Sequence, residues 1–141
     1  MSGLAGLLAG HHAPGVYQWH AAFGPEDVRH TVEKAGARFA YVDGWTHQEK
    51  AELVEALAEA LGCPDSADGA FDDAFSACLQ AIDGGHLVLL WDGWGPLART
   101  DRGAFDSAAK RLAHRASDGP SPMTVLLRGE GPEIDVPSLD G

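Results

Sequence analysis

Two runs in this sequence end alike: Tyr41-Val42-Asp43-Gly44-Trp45 and Leu90-Trp91-Asp92-Gly93-Trp94 each follow an apolar run with Asp-Gly-Trp. Two carboxylates at neighbouring strand ends could hold a divalent cation or act as an acid and base pair. The position suits such chemistry, because open α/β sheets bind ligands beyond the carboxyl ends of their strands. A plainer role also fits and is preferred: Asp-Gly makes a tight turn, and each Trp covers an edge of the core. No third acid, Lys or Ser/Thr at strand-end spacing completes a phosphotransfer set.

Other catalytic signals are missing from the residue pattern. The seven histidines (His11, His12, His20, His30, His47, His86 and His114) include no His-x-x-x-His and no Glu-paired zinc motif. Cys63 and Cys78 lack Cys-x-x-Cys spacing and a His at ligand spacing. There is no Gly-x-Ser-x-Gly, no Gly-x-Gly-x-x-Gly and no loop ending in Gly-Lys-Ser/Thr. The expectation is a protein with no catalytic residues, no metal and no cofactor.

The charge balance narrows the partners. With 21 acidic and 10 basic residues the net charge is −11, which repels nucleic-acid phosphates and anionic lipid. The same charge favours solubility and steers the chain toward a basic protein. No apolar run approaches the ~20 residues that span a bilayer. Leu4 to Leu8 is apolar but short, follows no basic residue and runs into His11-His12, so no secretory leader is expected. Reduced thiols and a cytoplasmic location are expected with it.

The positioning elements follow from periodicity. Residues 1–23 are rich in Gly, Ala and His without a sustained period and read as a flexible or loosely docked arm. Gly24-Pro25-Glu26-Asp27 starts a short helix with Val28, Val32 and Ala35 on one side and Gly36 at its end. Arg38 to Val42 reads as a strand. Thr46 and Glu49 form a capping box for a helix carrying Leu53, Val54, Leu57 and Leu61, stopped by Gly62. Phe71, Ala74, Phe75, Cys78, Leu79 and Ile82 recur at helical spacing. His86 to Trp91 is an apolar strand of the kind buried on both faces. A helix from about Asp101 to about Ala116 buries Phe105, Ala108, Ala109 and Leu112, and Met123 to Leu127 is the last strand. Strands separated by helices pair in parallel. The expected fold is α/β, a three-stranded parallel sheet flanked by helices, with an N-terminal arm and short helix at 1–37, a domain at 38–128 and a flexible tail at 129–141.

Between Asp65 and Asp83 stand Asp65, Asp68, Asp72, Asp73 and Asp83 with no basic residue among them. Acids gathered on one helix end can imitate the phosphates of an RNA strand and pair with the Arg, Lys and His groups of a nuclease. An acidic surface on an acidic protein is the ordinary alternative, and charge alone favours it.

At this helix the sequence resembles the barstar family of ribonuclease inhibitors. Family members carry an aromatic pair, Gly, any residue, Asn, an apolar residue and Asp-Ala-Leu-x-Asp-Cys-Leu. Here Gly69, Asp73, Ala74, Cys78 and Leu79 fall in that register, with Phe75 at the Leu position. The order of elements from about Arg38 to Arg128 agrees as well. Ala67 and Asp68 replace the aromatic pair, Phe71 the Asn, Asp72 the apolar residue and Ala77 the second Asp, which is among the family's main contacts. The resemblance implies a barstar-like inhibitor whose partner is a basic protein, a ribonuclease. It places partner contacts at Gly69 and Asp73; Asp65, Asp68 and Asp72 join them on the charge reading, and Ser76 as an outward position of the same helix. Two alternatives stand beside it: a regulatory domain of this fold with a non-nuclease partner, and a small metal-dependent enzyme using Asp43 and Asp92.

Overall fold

The computed structural model describes residue 6 and residues 8–9, 15–20, 23–45, 86–118, 122–134 and 136–139. The expected helices over 46–61 and 71–82 and the acidic positions between 65 and 83 lie outside the described residues.

Five strands form one sheet: β1 (Val16–Trp19), β2 (Arg38–Asp43), β3 (Leu87–Asp92), β4 (Met123–Arg128) and β5 (Ser138–Leu139), in the order β2-β3-β4-β1-β5. Every pairing is parallel. The expected three strands are the β2-β3-β4 half of this sheet; the count of three is corrected to five. β1 and β5 come from stretches read as an arm and a tail. β1 is only four residues, although Val16, Tyr17 and Trp19 are strand formers, and β5 is two. Both are held by neighbours distant in sequence, which no local pattern announces.

Three helices complete the described part. In α1 (Pro25–Lys34), Pro25 opens the first turn, Glu26 and Asp27 face the positive end of the helix dipole, and Val28 and Val32 are buried. Gly36, at φ +85°, turns the chain out of the helix in a conformation that disfavours other residues. Ala35 is exposed as the cap rather than buried, because the helical register ends before it. A short helix, α2 (Gly95–Thr100), precedes α3 (Arg102–Asp118). The expected burial of Phe105, Ala108 and Leu112 is observed, while Ala109 is half-buried.

The alternation of side chains sorts the core into two layers. Val16, Ala40, Val42, Leu87, Leu89, Trp91, Met123, Val125 and Leu127 pack on one face with Leu97, Phe105 and Leu112 from α2 and α3. Trp19, Val88, Leu90, Leu126 and Leu139 pack on the other with Val28 and Val32 of α1. β3 is buried at all six positions, as expected for a central strand covered on both faces.

Candidate functional site at the carboxyl edge of the sheet

Register brings the strand ends into one row. Asp43 is the partner of Asp92 across β2 and β3, and Asp92 is the partner of Arg128 across β3 and β4. All three belong to the face that carries Tyr41, Leu90 and Leu126. On the far side of Arg128, the ring of Trp19 lies 5.7 Å from the guanidinium carbon, a cation–π contact.

Asp92 is the hub of this row. Nε of Arg128 donates to its Oδ1 at 2.6 Å and Nη2 to its Oδ2 at 2.8 Å, a two-pronged pair. The Tyr41 hydroxyl donates to Oδ2 at 3.0 Å. Nη1 of Arg128 also donates to the carbonyl oxygen of Phe23, which joins the start of α1 to the end of β4. The Asp92 carboxylate raises the Arg128 guanidinium above its ordinary value. Burial, reinforced by the bond to Asp92, raises the Tyr41 phenol, so that it stays a donor.

The two Asp-Gly-Trp turns interlock. Asp43 Oδ1 accepts from the Trp45 amide at 3.0 Å, and the Gly44 amide donates to the Asp92 carbonyl at 2.6 Å. A β-carbon at Gly44 would run into the Gly93 carbonyl, so this crossing requires glycine. Gly93, at φ +69°, lies under the Trp45 ring, where a β-carbon would stand 2.8 Å from ring carbons. The two tryptophans take different places. Trp94 is buried against Phe105 with ring centroids 5.2 Å apart, whereas Trp45 is half-exposed.

Register thus brings Asp43 and Asp92 side by side, but the arrangement does not suit a paired metal site. Both oxygens of Asp92 are engaged by Arg128, whose positive charge stands where a cation would bind. Among the described residues no three His, Cys, Asp or Glu side chains gather as metal ligands. The sequence reading missed Arg128 and Tyr41 as members of this row. Tyr41 stands two residues before Asp43, hence on the same face, and Arg128 ends the third apolar strand; only the register between strands joins them. Asp65, Asp68, Gly69, Asp72, Asp73 and Ser76 lie outside the described residues.

The all-parallel sheet with helices on both faces and a strand-end charge row defines an α/β domain of the open, crossover-connected class. The sequence profile of the family described as Barstar (barnase inhibitor) matches residues 37–128, well over half of the chain. The chain belongs to the barstar family.

Among curated proteins no sequence matches. Solved structures resemble it in fold. The ORC2 protein of Aeropyrum pernix in its ADPNP-ADP complexes matches with a TM-score of 0.61 at 17% identity, over 91% of this chain and 38% of that one. Drosophila ORC bound to DNA matches with a TM-score of 0.61 at 16% identity, over 96% of this chain and 40% of that one. The chain therefore spans about two-fifths of each of these structures, and the likeness is one of backbone path.

Proposed function

We infer that the chain is a protein-binding inhibitor that fills the basic active-site cleft of a ribonuclease with its acidic stretch 65–83, and performs no chemistry of its own. The family match over 37–128 carries this reading, because it takes in the stretch where Gly69, Asp73, Ala74, Cys78 and Leu79 keep the family register. The net charge of −11 supports it, since an acidic protein is steered toward a basic cleft. The contact set is Asp65, Asp68, Gly69, Asp72, Asp73 and Ser76. The commitment of Asp92 to Arg128 speaks against the Asp43–Asp92 enzyme. An inhibitor of this kind acts in the cytoplasm, where the nuclease is made. Among the described residues no helix is long and apolar enough to cross a membrane.

A second reading keeps the interaction role and changes the partner. It is favoured by Ala67, Phe71 and Ala77, which stand where the family has an aromatic residue, Asn and Asp. A hot-spot carboxylate replaced by alanine loses its charge-assisted bonds. Nucleotide and DNA binding are not carried over from the ORC structures. No Gly-Lys-Ser/Thr loop stands between β1 and α1, and the net charge repels a phosphate backbone.

The test is a titration of candidate basic ribonucleases with the full chain, read as lost nuclease activity and as direct binding. Stoichiometric inhibition is expected, weakened by raised salt and by at least about tenfold in an Asp72→Ala, Asp73→Ala double variant. Unchanged affinity in that variant would remove this face from the account. Capture of a partner without nuclease activity, by the same acids, would establish the second reading in its place.

A further inference from the structure

No further inference is drawn: the strongest candidate, the patch at the carboxyl edge of the sheet where exposed Trp45 and Phe23 flank Arg128 and Gly129, is an apolar surface for which nothing in the structure shows what covers it.

Discussion

Removing either member of the Asp92–Arg128 pair leaves the other charge in a place with little water, for the two side chains are 12% and 14% exposed. The cost of the orphaned charge exceeds what the intact pair contributes. Arg128→Met is therefore expected to destabilise the chain by about 3 kcal/mol, measured as a shift of the urea midpoint. Tyr41→Phe removes one bond to a charged acceptor while Arg128 still holds the carboxylate, and about 1 kcal/mol is expected by the same measurement. Equal losses in the two variants would contradict the view of Asp92 as a hub held mainly by Arg128. Gly44→Ala has no room to relax, because the obstruction is the backbone of Asp92 and Gly93; failure to fold at ordinary temperature is the expected outcome.

At the scale of elements, β1 matters out of proportion to its four residues. It pairs with β4 on one side and β5 on the other, and Trp19 is fully buried in the layer under α1. Arg128 reaches across to the Phe23 carbonyl, so the family-matched portion and the segment before it share a bond at the carboxyl edge. Trp19→Ala is expected to cost about 3 kcal/mol or more in chemical denaturation. A chain beginning at residue 37 would expose the β4 edge, an unpaired row of amides and carbonyls beside apolar side chains. Loss of a cooperative urea transition, with self-association in sedimentation, is expected. A fully cooperative fragment of native stability would show β1 to be an accessory.

For the whole molecule, acid is the informative variable. His86 ends the approach to β3, and one of its ring nitrogens, Nε2, lies 2.8 Å from the Thr124 hydroxyl. Burial lowers its proton affinity below the ordinary value of 6.5. The unfolded chain thus binds a proton that the folded chain refuses, so this group's contribution to stability falls as pH drops below about 6.5 and levels off below the folded value. Urea midpoints at pH 7.5 and 5.5 are expected to differ less in His86→Gln than in the parent chain. An unchanged difference would remove His86 from the acid sensitivity.

The runs at 86–91 and 123–127 were enough to foretell two central parallel strands, because a strand buried on both faces must be apolar at nearly every position; 38–42, at the sheet edge and only partly buried, was legible from its Phe-Ala-Tyr-Val run before Asp-Gly. The helix over 102–118 was legible for a similar reason: its apolar residues recur with the helical period. Family membership was readable from Gly69, Asp73, Ala74, Cys78 and Leu79, whose spacing is local. The paired Asp-Gly-Trp turns also marked the carboxyl edge, though not what occupies it. Tertiary structure alone decided that Asp92 faces Arg128 rather than a cation, since register between strands 36 residues apart leaves no trace in either segment. It alone recruited Val16–Trp19 and Ser138–Leu139 into the sheet, because so short a strand is stabilised by its neighbours' open edges and not by its own composition.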